Sequence, residues 1–192
     1  MRSEVNSYNT KMLLANTLKD LLEKKSFSKV TVTEIITLSK VNRNTFYYHF
    51  EDIYDLLRWL LEQEAINIVK DYDSKDEIDM AINFTLSYIE KNRSFLKNIL
   101  FSVGEKDLRR FFSKDFREII GNFIKIDEEE LGIKIDAQYR NVLTMYLTEA
   151  IAGLLIESLN KKYEISNAKI TSYIKTISTS SIKASLMAYK KI

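Results

Sequence analysis

The chain has no cysteine and no proline, and only four glycines and one histidine, in 192 residues. Without cysteine there is no disulfide framework, thiolate nucleophile or zinc ribbon, which fits a reducing compartment. A single histidine, His49, excludes His-rich metal cages and leaves imidazole acid–base chemistry to one side chain. The lack of proline and scarcity of glycine argue against a turn-rich β fold. The amino end, Met1 to Lys11, lacks the apolar stretch of a signal peptide. The longest uninterrupted apolar run, Ile151 to Ile156, lies between Glu149 and Glu157, so no membrane-spanning helix is expected. No glycine-rich phosphate loop occurs. The acidic run Asp127 to Glu130 reads as a solvated helix end. The expectation is a cytoplasmic protein that is not an enzyme and holds no metal or cofactor.

What is present is helical periodicity. Met12, Ala15, Leu18 and Leu22 recur at one-turn spacing, as do Ile53, Leu56, Leu57, Leu60 and Leu61, and again Leu143, Leu147, Ile151 and Leu154. No stretch sustains period-two alternation, so the fold class is all-α. With 45% hydrophobic residues the chain can build a substantial core. The net charge is +2, but residues 1–50 hold eight Lys/Arg against four acids, a basic head on a near-neutral body.

Within that head the spacing predicts a helix from about Ser7 to Lys25 and a second over Val32 to Ser39, the latter opened by a capping box of Thr31 and Glu34. Lys40, Val41 and Asn42 make a turn, and Asn42 caps a third helix, Arg43 to Phe50. Two short helices joined by a three-residue turn, behind a longer support, describe a helix-turn-helix. Burying Ile35, Ile36, Val41 and Phe46 leaves Arg43, Asn44, Thr45, Tyr47, Tyr48 and His49 outside. Arginine can bond a guanine edge twice and asparagine an adenine edge. Hydroxyls and imidazole suit phosphate oxygens. The start of the second helix, with Thr31 and Thr33 near Lys29, offers amides to another phosphate. Spacing alone fits a short aromatic core helix about as well.

The residues go further. The segment Thr31 to Leu57, and above all TFYYHF at 45–50 followed by D-x-x-D-L-L, resembles the DNA-binding signature of the TetR (tetracycline repressor) family of bacterial transcription regulators. The FYYHF wording and the segment AIAGLLIESL are similar to the branch containing dihydroxyacetone-kinase operon regulators. The motif covers about a quarter of the chain, while the rest resembles the family in length and helicity. The resemblance implies that Arg43, Asn44 and Tyr48 meet bases or nearby sugar-phosphate, that Thr45, Tyr47 and His49 touch phosphates, and that Thr33 can reach a base. Three positions depart from the pattern. Lys40 stands where the family has glycine for a left-handed turn, Ser39 where alanine is usual, and Ile53 where a phosphate-anchoring lysine is usual. Lys40 is the cation that could compensate for the loss at Ile53.

The predicted domains are a helix-turn-helix domain over 1–52 and a helical effector-binding and dimerisation domain over 53–192. A connector helix runs from the cap at Asp52 to about Lys70. Further helices are expected near 76–91, 93–101 and 105–131, the last interruptible at Gly121 and stopped at Gly132, then from Asp136 to Asn160 and from Ser166 to Tyr189. Small residues on the last two helices (Ala150, Ala152, Gly153 and Ser158; Ser178, Ser181, Ala184 and Ala188) suggest a seam through which two copies pair. A homodimer would present two heads to an inverted repeat in double-stranded DNA. By the same resemblance an effector pocket is expected in the body, with Phe84, Tyr88, Phe112, Phe116 and Tyr146 as candidate lining. The leading functional expectation is a dimeric repressor released by a small-molecule effector. The alternative is a co-regulator with weakened DNA binding that acts by pairing with another regulator.

Overall fold

The structure is a computed structural model and describes residues 2–70, 77–160 and 166–189. Those residues form helices and connecting turns, with no strand among them. Packing divides the chain into two compact units, one of Met1–Asn67 with Asn92–Leu108, the other of Ile68–Lys91 with Arg109–Ile192. The sequence boundary at residue 52 follows the DNA-binding motif; packing draws two further stretches in with it.

In the first unit, α1 (Arg2–Leu22) turns Leu14, Ala15, Leu18 and Leu22 inward, all essentially inaccessible. It ends three residues before the expected stop at Lys25. A 3-10 turn, Phe27–Lys29, follows, and its buried Phe27 ring meets the edge of Tyr54 at 4.9 Å. Helix α2 (Val32–Ser39) starts at Thr31, whose hydroxyl accepts the amide of Glu34. Only that half of the expected capping box forms. The Glu34 carboxylate pairs instead with Lys25, because an ammonium is a stronger partner than one backbone amide. Helix α3 (Arg43–His49) is capped by Asn42, which accepts the amide of Asn44 at 2.8 Å. Asp52 caps α4 (Ile53–Leu61) by accepting the amide of Asp55 at 2.8 Å. The connector is not one regular helix to Lys70: a π-helical turn, Glu62–Ile66, interrupts it before α5 (Asn67–Lys70). Helix α7 (Arg93–Val103) completes this unit and buries Phe95, Leu96, Ile99 and Leu100.

The second unit contains α6 (Ile78–Lys91), most of α8 (Glu105–Leu131), α9 (Ala137–Asn160) and α10 (Asn167–Tyr189). Helix α8 passes through Gly121 without a break and stops at Gly132, which has φ +59°. Ile120, Ile124, Leu143, Leu147, Ile182 and Leu186 form one core cluster. By length and composition α9 could cross a membrane, a weak sign, since a core helix passes the same test and 44% of its most apolar stretch is buried here.

The acidic run is not uniformly solvated as expected. Asp127 and Glu128 are 2% and 7% exposed, while Glu129 and Glu130 face outward. Glu128 closes the α8–α9 turn. Its carboxylate accepts the amide of Ile135 and two guanidinium bonds from Arg140, at 2.9 and 2.8 Å. Those bonds, Arg140 first, hold its pKa below the usual glutamate value despite burial. A carboxyl whose folded pKa is depressed adds stability above its unfolded value and loses it as pH falls through the folded one. Arg140→Ala should destabilise the chain by about 2–3 kcal/mol, less than a fully enclosed pair because Arg140 is a third exposed. Urea unfolding at neutral pH measures this, and the difference from the parent should shrink in acid.

Candidate nucleic-acid interface

An α-helix turns by about 100° per residue, and in α3 that places every side chain relative to Phe46, which is fully buried. Asn44 and Tyr48 lie on the far side, and Tyr48 is 82% exposed. Arg43 and Tyr47 lie on one flank and are also exposed. Thr45 and His49 lie on the other flank and are half-buried, so the six side chains expected outside are not equally available.

Three of the candidate groups come together across the turn. The Arg43 guanidinium sits over the Tyr47 ring, 5.6 Å from its centre, and reaches the Tyr47 hydroxyl and the Thr33 hydroxyl of α2, each at 3.5 Å. Bonds that long are weak. The guanidinium is therefore steered rather than locked, with donors left over for another acceptor. Thr33 is exposed beside it, while Thr31, also exposed, spends its hydroxyl on the cap of α2.

Lys40 ends α2 in the left-handed region, at φ 54° and ψ 31°, with its amide directed at the carbonyls of Ile36 and Thr37. Among the described residues it is the non-glycine residue with positive φ. Its side chain is exposed. Ile53, at the first position of α4, is half-buried and supplies no cation.

His49 packs its ring near Tyr48 and Phe50, at 4.9 and 6.3 Å between centres. Burial, and then the charge of Lys11, lower its pKa below the ordinary histidine value, which favours the neutral ring. Lys11 was not singled out in the sequence. It reaches from α1 over Phe50 and Trp59, with its ammonium 5.9 and 5.8 Å from the two rings. Its signal in the sequence is its place on α1 in line with the buried stripe, one turn before Ala15 and two before Leu18. Two other head cations are spent inside the unit, Lys25 on Glu34 and Lys19 on Glu64.

The second unit holds a partly open cavity of about 110 Å³ whose exposed lining is almost wholly apolar, with Ile120, Leu147, Ile151, Leu155, Ile174 and Ile182 prominent. Of the aromatic residues expected to line a pocket, Phe116 does so. Phe84 and Tyr88 do not: they are half-buried and stacked on each other at 6.4 Å. Tyr146 is 67% exposed, because it precedes the cavity-lining Leu147 by one residue and so points about 100° away. The Phe112 side chain lies outside the described residues.

Residues 76–180 match the family model described as the TetR-type "Transcriptional regulator C-terminal region". That is more than half of the chain, and the protein belongs to the TetR family of transcriptional regulators. It is similar, at 23% identity over 150 residues, to the HTH-type dhaKLM operon transcriptional activator DhaS of Lactococcus lactis subsp. lactis (strain IL1403), an alignment covering 78% of this chain and 79% of that one. A solved structure of a dihydroxyacetone kinase operon activator, DhaS, superposes with TM-score 0.69 at 23% identity, covering 91% of this chain and 97% of the other. A TetR transcriptional regulator from Streptococcus agalactiae 2603V superposes with TM-score 0.60 at 22% identity, covering 93% and 98%. These likenesses agree with the branch suggested by FYYHF and AIAGLLIESL.

A left-handed lysine carries strain that glycine does not. Lys40→Gly should therefore raise stability by about 0.5–1 kcal/mol, read as an upward shift of the urea midpoint at unchanged slope. An unchanged or lower midpoint would show that the turn bears no strain.

Proposed function

We propose that this regulator works as a homodimer whose two heads read an inverted repeat in double-stranded DNA, and that a small apolar effector in the second unit alters its affinity. The observation that carries the DNA reading is the outward edge of α3, where Arg43, Tyr47 and Thr33 converge beside an exposed Asn44 and Tyr48. Arg43 and Asn44 read base edges, assisted by Thr33 and Tyr48. Tyr47, Thr45, His49 and the start of α2 at Thr31 position the helix on phosphates. Lys40 supplies the phosphate charge that Ile53 does not, which accounts for a strained lysine where glycine would fit.

Dimerisation is supported by the outer faces of α9 and α10. Val142, Met145 and Tyr146 on one, and Tyr173, Ile177 and Met187 on the other, are large apolar side chains between 43% and 67% exposed. Exposed apolar side chains gathered on two neighbouring helices suit a protein contact. Paired with their copies, these helices would form a four-helix bundle. The small residues of α9 differ in accessibility: Ala152 is buried, Ala150 is exposed, and a Cβ placed on Gly153 would lie 3.6 Å from the Arg109 guanidinium of its own chain. Two heads about 34–36 Å apart would meet successive major grooves.

The effector follows from the cavity. Its aliphatic lining favours an uncharged apolar molecule and would desolvate a charged one without compensation. Such a ligand shifts DNA binding only by its difference in affinity between the bound and released forms. Operator occupancy that blocks transcription, in the cytoplasm, is the first reading of the output. The name of the similar DhaS favours a second, activation from the same DNA complex. Selection of bound duplexes from a random pool tests the core of the proposal. An enriched palindrome supports it, and failure to enrich one at low salt points instead to a co-regulator that pairs with another regulator.

Arg43→Ala should weaken binding to the selected duplex by about 1–3 kcal/mol while barely affecting unrelated sequences. An equal loss on every duplex would remove Arg43 from the base-reading set. Ile177→Glu should shift the sedimentation mass from two chains to one without loss of helicity. An unchanged mass would place the dimer contact elsewhere.

A further inference from the structure

Helix α7 lies far beyond the helix-turn-helix in the chain, yet one of its side chains closes the end of α1. The Asn98 amide donates both its protons, one to the Leu22 carbonyl and one to the Lys25 carbonyl, each at 2.6 Å. Its carbonyl oxygen accepts the amide of Phe27 at 3.0 Å and the Ser102 hydroxyl at 3.3 Å. An asparagine side chain has two donors and two acceptor sites, and here all four are used. The carbonyls at the end of a helix have no partner within it, and Asn98 supplies one for the last residue of α1. That explains why α1 stops at Leu22.

The three backbone groups that Asn98 holds span the segment from the end of α1 to the 3-10 turn that leads into α2. Phe27, at the far end, is 1% exposed and wedged against Tyr54 of α4. Lys19 fastens the same helix a second time, with its ammonium on Glu64 and 5.5 Å from the centre of the Phe95 ring of α7. We infer that Asn98 is a positioning residue for DNA recognition, the group through which α7 fixes the direction in which α2 and α3 leave α1. It touches no part of the outward edge of α3 and acts by orienting it. The stretches that bracket 92–108 in the chain belong to the second unit, so the head is fastened to a segment whose two ends lead into that unit. The inference rests on the DNA-binding reading above.

The test compares the full-length parent with Asn98→Ala and Asn98→Asp, each titrated with the duplex selected by the parent and with an unrelated duplex. Asn98→Asp keeps the shape and the acceptor for Phe27 but has no proton for the two carbonyls. In both variants we expect the preference for the selected duplex to fall on the order of tenfold. The salt dependence of binding should keep its slope, because no phosphate-facing group has changed. A merely structural role would lower binding to both duplexes alike and leave their ratio intact, and that result overturns the inference. So does an unchanged ratio with unchanged affinity. If either variant loses helicity, hydrogen exchange in the parent decides. The Phe27 amide must be as protected as the core amides of α1, and exchange like an open loop overturns the inference. A parent that selects no duplex defeats the DNA-binding reading itself, and that failure is visible before any variant is made.

Discussion

A helix of seven residues has no stability of its own in water, because nucleation is not repaid over two turns. The outward edge of α3 therefore exists only through the burial of Phe46, in the same unit as the inaccessible Leu18, Leu22 and Ile35. Caps at Asn42 and Asp52 fix where α3 begins and α4 follows. Once Phe46 is fixed inward, helix geometry puts Asn44 and Tyr48 opposite it and tilts Thr45 and His49 toward the interior. The outward edge of α3 is thus a by-product of one anchored ring, and its rigidity is that of the packing beneath it. The neighbouring residues add to this: Arg43 lies on Tyr47, and Lys11 lies over the Phe50 and Trp59 rings, so cations near the edge rest on aromatic faces rather than floating on long side chains.

That packing draws on distant parts of the chain. Phe27 meets Tyr54, Lys19 meets Glu64 and Phe95, and Asn98 reaches the end of α1. A head cut at residue 52 would lose the partners of all three. This is why a boundary drawn from the motif and one drawn from packing differ: the first marks where the chemistry lies, the second what holds it.

The elements and the motif were legible because they depend on local rules. Periodic leucines and isoleucines gave the helices, Asn42 and Asp52 their starts, and Gly132 a stop. The left-handed turn at Lys40 could be foreseen from its place in the motif. What could not be read were choices between competing partners. Glu34 had an amide to cap and took Lys25; Glu128, in a run that looked solvated, turned inward to meet Arg140. The π turn at Glu62–Ile66 leaves no mark in the composition. Which side chains line the cavity was hard to read for a related reason. Aromatic residues attract attention as lining, but what decides is helical phase, and a shift of one residue separates exposed Tyr146 from enclosed Leu147.

Helices α9 and α10 carry two apolar faces each, and this bears on how an occupied cavity could be felt outside. Leu147, Ile151 and Leu155 of α9, with Ile174 and Ile182 of α10, line the cavity. Val142, Met145, Tyr146 and Ile177 point away from it on the same two helices. The two surfaces are separated by no more than one helix diameter, about 10 Å. Packed interiors transmit displacement rather than absorb it. The cavity is lined by α6 and α8 as well, so a molecule that swells it displaces one or more of these helices, and where α9 or α10 moves the outer face moves with it. In a dimer built on that face, ligand and partner would act on the same pair of helices from opposite sides, so their binding energies would be coupled and the coupling would be reciprocal. A cavity so poor in polar groups has few fixed bonds to break on such a shift, and the response would be governed by the volume and shape of the ligand.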